Sequence, residues 1–388
     1  HAYVPSLIQA ARWGGVYAVS SLIITVNVAV AFFILFFKPK SRHAFFESLL
    51  ILVVVAGIYV ISDQSARRSA RSTNLQPQSS SLVVIAVQPN VDVNFDRARS
   101  EEESLLERHF TLSEAALSAW ESASTADEKK VAGRLIIWPE SPMSVQYSGD
   151  LGIAQRLADF AGRNRSRLLF NSLEETQRET ETRGGLHNSA LLIDEEGRLA
   201  SRYDKIHLLP FGEFVPRWIP GSFLLNAIVG DFIPGKDYVL MSAGNGLRAG
   251  VFICFESAFP GSAAIFTREG ADVLVNITND GYLGRTPVIH QHLANAVFRA
   301  VENERTLIRV ANTGISALIT PHGDVRDETS TFVEATRTWV IGKQNGELTF
   351  YTKHQFLFVI LCIIISLAMI CGATFLRNLN VTPASSRL

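Results

Sequence analysis

Residues 249–256, AGVFICFE, form a short apolar run that ends in a thiol and a carboxylate. Runs of the same kind recur along the chain, interleaved with helical patterns at 100–124 and 151–163. They lie at 82–88, 135–138, 167–170, 190–193, 273–277, 307–310 and 315–319. Strands that alternate with helices in this way predict an α/β layered sandwich. The glycine-containing stretches 194–198 and 320–324 predict tight connections between adjacent strands, so the sheets should be partly antiparallel.

Three apolar stretches, at 15–37, 44–61 and 355–376, are long enough for membrane helices, which need about 20 residues. We therefore predict two transmembrane helices within 1–62, a linker at 63–81, a catalytic domain at 82–350 and a C-terminal transmembrane helix at 354–377. Buried core helices are the alternative interpretation. The chain begins at His1, and only two apolar stretches precede the hydrophilic block, so we expect a membrane domain that is truncated at its N-terminus.

The balance of charge bears on partners and on orientation. The net charge is -1, with 36 Lys and Arg against 37 Asp and Glu, which disfavours nucleic-acid binding. The short loop 38–42 carries three basic residues, and the positive-inside rule favours a cytoplasmic position for it, with the large block on the other side. The basic residues at 67–71 argue the other way, although long translocated domains are largely exempt from the rule.

Cys254 is the only cysteine outside the last apolar stretch, which holds Cys362 and Cys371. An unpaired thiol in an extracytoplasmic domain is a candidate reactive group. The thiol follows a strand and precedes Phe255 and Glu256, so we expect it at a bend similar to a nucleophile elbow. The Phe255 N–H could then share in stabilising an oxyanion with a nearby lysine. A buried structural cysteine is the alternative.

Two further ionisable residues lie where apolar runs end. Glu140 follows the run 135–139, LIIWP, and is a candidate general base. Lys205 opens the proline-interrupted stretch 203–213, YDKIHLLPFGE, where an ammonium among apolar residues needs a carboxylate partner and can stabilise an oxyanion. Glu213 is the nearest candidate partner. Taken singly, each residue could equally be a solvated surface charge.

Six segments together resemble the nitrilase, or carbon–nitrogen hydrolase, superfamily and, more finely, the bacterial apolipoprotein N-acyltransferases. They are 138–141 (WPES), 203–216 (YDKIHLLPFGEFVP), 253–256 (ICFE), 279–284 (NDGYLG), 291–292 (QH) and 312–317 (NTGISA). The resemblance implies an αββα sandwich, flanked here by transmembrane helices. It departs from the family pattern at Phe255, where a tyrosine is common, and at 281–282, where a tryptophan is common.

The resemblance also implies the chemistry. Glu140 would be the general base, Lys205 would stabilise the tetrahedral intermediate, and Cys254 would form a thioester with an acyl chain from a phospholipid. The acceptor would be the free α-amino group of a diacylglyceryl-cysteine apolipoprotein, and Glu213 and Glu256 would be supporting carboxylates. Such a protein would lie in the bacterial inner membrane, with its catalytic domain extracytoplasmic.

Substrate contacts are expected from Trp218 and Phe223, in the apolar stretch 217–235, and from Asn279 and Tyr282. The stretch could enter the membrane interface and gate lipid entry, or it could pack on the sheet in the ordinary way. No cofactor is expected. A metal at 290–292, HQH, is rejected because residues two apart on a helix point in different directions.

Two alternative functions share the same motifs. One is a membrane-anchored amidase or nitrilase that acts on a small substrate, with water in place of the amine. The other is a catalytically inactive membrane scaffold, which the intact Glu140, Lys205 and Cys254 set disfavours.

Overall fold

The computed structural model describes most of the 388-residue chain. The described residues are 4–35, 42–72, 81–94, 98–125, 133–140, 145–175, 185–216, 218–219, 232–343 and 347–379. Eight α-helices are described: α1 (Ala11–Leu35), α2 (Arg42–Ser72), α3 (Arg99–Ala123), α4 (Leu151–Asn164), α5 (Pro260–Arg268), α6 (Val288–Asn303), α7 (Phe350–Lys353) and α8 (Leu357–Leu379).

The first of two six-stranded sheets has the order β12-β1-β2-β3-β4-β5. Strands β1, β2 and β3 are parallel, and the other pairs are antiparallel. The strands are β1 (Ser81–Gln88), β2 (Gly133–Ile137), β3 (Arg167–Glu175), β4 (Leu186–Ile193), β5 (Leu199–Asp204) and β12 (Ala335–Gly342).

The second sheet has the order β11-β10-β9-β8-β7-β6. Its central strands β7, β8 and β9 are parallel, and antiparallel pairs flank them. The strands are β6 (Leu240–Gly244), β7 (Leu247–Ile253), β8 (Val273–Thr278), β9 (Thr306–Ala311), β10 (Ala317–Ile319) and β11 (Val325–Arg326). Parallel strands need helical crossovers, and α5 and α6 provide them here.

Strand β1 shows how the layers are built. Leu82, Val84 and Ala86 lie in the large core that contains residues of both sheets, whereas Val83 and Ile85 pack with residues of α3 and α4 in a second core. Successive side chains of a strand point to opposite faces, so a continuous apolar run means that both faces are covered. The predicted αββα sandwich is confirmed.

Both predicted strand connections are present. In the turn 194–198, which joins β4 to β5, the Asp194 N–H donates to the Arg198 carbonyl, and Gly197 has φ +82°. In the turn 320–324, which joins β10 to β11, the Thr320 N–H donates to the Asp324 carbonyl, and Gly323 has φ +91°. A positive φ favours glycine, which explains its place in each turn.

Three helical stretches are long and apolar enough to cross a membrane: Ala11–Leu35, Phe46–Gln64 and Leu357–Phe375. This confirms the predicted flanking helices. Helix α2 continues to Ser72, so the predicted linker 63–81 begins inside a helix. Its sequence up to Ser72 contains alanine and arginine and neither proline nor glycine, which allows the helix to propagate. Residues 73–80 lie outside the described part.

The first of these apolar helices, α1, is attached to the sandwich at a break in its backbone. Gly14 and Gly15 leave the helical conformation, which frees the Val16 N–H from the normal helical pattern. That N–H donates to the buried carboxylate of Glu302 at 2.8 Å, and Arg299 donates to the same oxygen at 2.9 Å. The C-terminal end of α6 therefore contacts the start of α1.

Candidate active site

The backbone turns sharply at Cys254. Strand β7 ends at Ile253, a 3-10 helix spans Cys254–Ala258, and Cys254 itself has φ +51°. Such a conformation is costly for a residue other than glycine and persists only when its surroundings enforce it. The thiol therefore lies at a strained bend after a buried strand, where the sequence predicted it.

Lys205 is buried between two carboxylates. Its Nζ lies 2.8 Å from Glu213 Oε1 and 3.4 Å from Glu140 Oε1, and its side chain is 1% exposed. Lys205 directly follows the end of β5, and Glu140 lies just beyond the end of β2. The predicted partnership of Lys205 with Glu213 is thus present, and Glu140 shares the same ammonium.

An amide that the sequence did not single out holds the two carboxylates together. Asn188 Nδ2, on β4, donates to Glu140 Oε1 at 2.9 Å and to Glu213 Oε1 at 2.7 Å. The other oxygen of Glu140 accepts the Asn279 N–H at 3.0 Å. Because Asn188 donates to one oxygen of Glu140 and Asn279 donates to the other, the two hydrogen bonds hold the carboxylate in one orientation.

Glu256 connects the bend to the segment that carries Lys205. Its Oε1 accepts the Tyr203 hydroxyl and the Ile206 N–H at 2.8 Å and the His207 N–H at 3.0 Å. Its Oε2 accepts the Ile253 N–H at 2.8 Å. The carboxylate therefore fixes the end of β7 relative to the end of β5, rather than facing the thiol.

The ionisation of the thiol and of the ammonium is coupled. Burial raises the pKa of the Cys254 thiol well above its usual range, the charge of Glu140 adds to the rise, and the Lys205 ammonium opposes it. Burial alone would lower the pKa of Lys205, but the negative charges of Glu140, Cys254 and Glu213 outweigh it and the pKa is raised. A protonated thiol beside a carboxylate and a permanent cation is suited to base-assisted nucleophilic attack.

A second charged cluster lies behind the thiol. Asp280, fully buried, accepts Arg309 Nη2 at 2.8 Å and lies 2.8 Å from His292 Nδ1. Burial alone would raise the pKa of the Asp280 carboxyl, but Arg309 and His292 hold it well below its usual range. Asp280 and His292 fall in segments that carried the family resemblance, but no local pattern pointed to Arg309 in the middle of β9.

The residues predicted to contact substrate differ in exposure and in their contacts. Tyr282 is 56% exposed, and burial of part of its side chain, with the charges of Glu140 and Cys254, raises the pKa of its phenol to about 12. Asn279 is buried, and its Oδ1 accepts the Gly281 N–H and Asn312 Nδ2, so its side chain shapes the loop. Trp218 is 82% exposed. Phe223 lies outside the described residues.

The Phe255 ring packs edge to face on Phe259, with ring centroids 5.4 Å apart. Within the described residues, no group of three or more His, Cys, Asp or Glu side chains is arranged to hold a metal ion. His292, the second histidine of the 290–292 stretch, is occupied by Asp280 and by the Cys254 carbonyl.

Comparison with known proteins gives concordant results. The carbon–nitrogen hydrolase family description matches residues 100–341. The apolipoprotein N-acyltransferase of Geobacter metallireducens is 32% identical over 374 residues, which cover 96% of this chain and 68% of that protein. The enzyme of the same name from Rhizobium etli is 28% identical over 393 residues, which cover 97% of this chain and 68% of that protein.

The crystal structure of Saccharomyces cerevisiae Nit3, a member of branch 10 of the nitrilase superfamily, has the same fold. It superposes with a TM-score of 0.50 at 19% sequence identity, over 72% of this chain and 96% of that one. The chain belongs to the carbon–nitrogen hydrolase family and, within it, to the apolipoprotein N-acyltransferases.

Proposed function

We propose that the chain transfers an acyl chain from a phospholipid, through a thioester on Cys254, to the N-terminal amine of a diacylglyceryl-cysteine apolipoprotein. The observation that carries the proposal is the buried Lys205, which pairs with both Glu140 and Glu213. Its positive charge acts on the thiol of Cys254, which lies at a strained bend of the backbone. The names of the related enzymes and the three apolar helices support a lipid donor.

In the first half-reaction, Glu140 accepts the thiol proton as Cys254 attacks the ester carbonyl carbon of the phospholipid. The tetrahedral oxyanion is stabilised by the Lys205 ammonium and the Phe255 N–H. When the intermediate collapses, the ester C–O bond breaks, and the departing lysophospholipid oxygen takes the proton back from Glu140. The products are an acyl thioester on Cys254 and a lysophospholipid.

In the second half-reaction, the free amine of the apolipoprotein attacks the thioester carbonyl carbon. Glu140 takes a proton from the nitrogen, and the oxyanion is again stabilised by the Lys205 ammonium and the Phe255 N–H. The C–S bond then breaks, the Cys254 thiolate leaves, and it recovers its proton from Glu140. An amide is formed, and the enzyme returns to its starting state.

The supporting carboxylates have separate tasks in this scheme. Glu213 keeps Lys205 in place and charged, since it makes the shorter of the two ion pairs with it. Glu256 sets the distance between the thiol and Lys205 through its four hydrogen bonds. Tyr282 and Trp218, which are both exposed, would contact the acyl chain or the membrane surface.

We place the protein in the bacterial inner membrane, with the block 82–350 on the extracytoplasmic side, where diacylglyceryl apolipoproteins carry their free amine. Two membrane helices within 1–62 and one within 354–377 would hold the block against the bilayer. The basic loop 38–42 would then face the cytoplasm.

The test is acyl labelling of the full chain in detergent or vesicles. Phospholipid with a labelled acyl chain should give a hydroxylamine-sensitive adduct on the wild type and on Cys362→Ala, which removes a thiol in α8. Cys254→Ala should give none. If the wild type is not labelled, the transferase proposal fails, and labelling that persists in Cys254→Ala rules out this nucleophile.

The acceptor is tested by adding a synthetic diacylglyceryl-cysteine peptide to the labelled enzyme. We expect the label to move to the peptide in a bond that hydroxylamine does not cleave, because the product is an amide. Release of the label only as free fatty acid would instead favour a membrane-anchored hydrolase, in which water takes the place of the amine.

A further inference from the structure

His292, on α6, contacts the main chain of the candidate nucleophile. Its Nε2 lies 3.1 Å from the Cys254 carbonyl oxygen, and its Nδ1 lies 2.8 Å from Asp280 Oδ1. The side chain is 10% exposed. The proposed mechanism gives His292 no role, although it touches the residue that carries the reacting sulfur.

Both oxygens that face the ring of His292 can only accept a hydrogen bond. A backbone carbonyl never donates, and Asp280, which Arg309 and Thr278 also contact, is held in its ionised form. The Nε2 atom can therefore contact the Cys254 carbonyl favourably only as a hydrogen-bond donor.

Two further side chains, Asp280 and Arg309, lie beside the Nδ1 end of the ring. Asp280 provides the negative charge, and Arg309 Nη2 lies 3.2 Å from His292 Nδ1 while it also binds Asp280. Asp280 lies in the 3-10 segment after β8, and Arg309 lies on β9. Asp280 and Arg309 therefore hold the ring in place from its Nδ1 side.

The consequence concerns the peptide bond between Cys254 and Phe255. That group is planar, and in its trans form the Cys254 C=O and the Phe255 N–H point in opposite directions. Fixing the carbonyl oxygen therefore fixes the direction of the N–H. His292 does this at 3.1 Å, and Asn276 Nδ2 approaches the same oxygen at 3.4 Å.

A hydrogen-bond donor on the carbonyl also polarises the peptide. Hydrogen bonds in a chain strengthen one another, so the N–H of a peptide whose carbonyl accepts such a bond becomes a better donor. The strained φ of Cys254 makes such a restraint necessary, since a relaxed backbone would rotate the peptide out of position.

We propose that His292 is a positioning residue that aims and strengthens the Phe255 N–H toward the oxyanion that forms at the acyl carbon. The inference rests on the proposed function, because it assumes that Cys254 attacks an acyl group. It predicts that acylation of Cys254 depends on a donor at the position of His292 Nε2, whereas a reaction of the thiol that forms no oxyanion does not.

The test uses two substitutions, each of which preserves the position of only one of the two ring nitrogens. In His292→Gln the side-chain amide can replace Nε2 and still donate to the Cys254 carbonyl. In His292→Asn it can replace Nδ1 and keep the contact with Asp280, but it cannot reach the carbonyl. His290→Asn, at an exposed position on the same helix, is the matched control.

Acylation is measured with p-nitrophenyl acetate, which needs no lipid site. Cys254 attacks the acetyl carbon while Glu140 takes the thiol proton, and the oxyanion forms. The C–O bond then breaks, p-nitrophenolate leaves, and an acetyl thioester remains on the enzyme. Alkylation by iodoacetamide is the comparison, because substitution at its methylene carbon forms no oxyanion. We expect His292→Asn to acylate about 10- to 100-fold more slowly than wild type. This lies at or below the low end of the range of about 100- to 1000-fold for removal of an oxyanion donor itself.

Alkylation of His292→Asn should be much less affected, so the ratio of the two rates falls. His292→Gln should recover most of the ratio, and His290→Asn should keep it. The inference is overturned if both reactions slow by the same factor in His292→Asn, if that variant acylates like wild type, or if His292→Gln is as slow as His292→Asn. These results do not depend on phospholipid labelling, so failure of the lipid reaction would count against the proposed function alone.

Discussion

Replacing Asp280 with Asn should destabilise the sandwich strongly while leaving its shape unchanged. The carboxylate is fully buried, binds Arg309 at 2.8 and 3.1 Å, and lies 2.8 Å from His292. An asparagine fits the same space but removes the only negative charge among the described contacts of the buried Arg309 guanidinium. Breaking a buried ion pair on one side costs about 3–5 kcal/mol.

The magnitude converts into a thermal shift. For a domain of this size, each kcal/mol corresponds to about 2 °C in Tm, at the lower end of the observed range. We therefore expect Asp280→Asn to unfold about 6–10 °C below the wild type in detergent at pH 7. Circular dichroism or scanning calorimetry of the full chain measures this. Asp159→Asn, at an exposed position on α4, is the matched control and should change Tm little.

The pH dependence gives a second readout with a definite sign. The folded-state pKa of Asp280 is lowered, so the stability that its charge contributes is present above the unfolded pKa of about 3.9. That stability is lost as the pH falls through the folded-state pKa. The Tm difference between wild type and Asp280→Asn should therefore be constant near neutral pH and should narrow below about pH 4. A difference below 2 °C at pH 7, or one that widens in acid, would refute the reasoning.

Two further predictions concern the same region. Gly314→Ala should lower Tm by several degrees, because its new Cβ would lie 1.9 Å from Asp280 Oδ2. The control Gly342→Ala should not lower it, because no contact of the new Cβ within 4 Å is found among the described residues. Equal Tm values for the two variants would contradict this. Iodoacetamide alkylation of the Cys254 thiol should have its midpoint at lower pH in Glu140→Gln and at higher pH in Lys205→Met. The first substitution removes a charge that raises the thiol pKa, and the second removes one that lowers it. Midpoints that shift in the same direction would show that these charges do not control the thiol.

Much of the architecture was predictable because it depends on local pattern. The run 82–88 is apolar without interruption, which is what a strand buried on both faces requires, and β1 has this environment. The three helices that are long and apolar enough to cross a membrane follow from length and hydropathy alone. The bend at Cys254 was predictable because an apolar strand ends there in polar residues, and Glu140 and Lys205 were found by the same kind of signal.

Other elements carry no such pattern. Strands β12 and β1 pair although they lie at opposite ends of the domain's sequence. The residues of β12 are mostly half-buried or exposed, as expected at the edge of a sheet. Helix α2 runs past the predicted start of the linker because alanine and arginine permit helix without requiring it. In both cases tertiary contacts or helix propagation decide the structure, and a short window of sequence does not contain them.

The division is clearest at the site. The layered α/β class, the three apolar helices and the order of Glu140, Lys205 and Cys254 can be read from the amino-acid sequence, because each is a property of neighbouring residues. Three contacts become visible only in the folded chain: Asn188 holds two carboxylates, Glu256 binds backbone N–H groups instead of facing the thiol, and His292 reaches the Cys254 carbonyl. Polar side chains such as these acquire their roles from partners that are far away in the chain, since a buried donor or acceptor is defined by whatever the fold places within hydrogen-bonding distance.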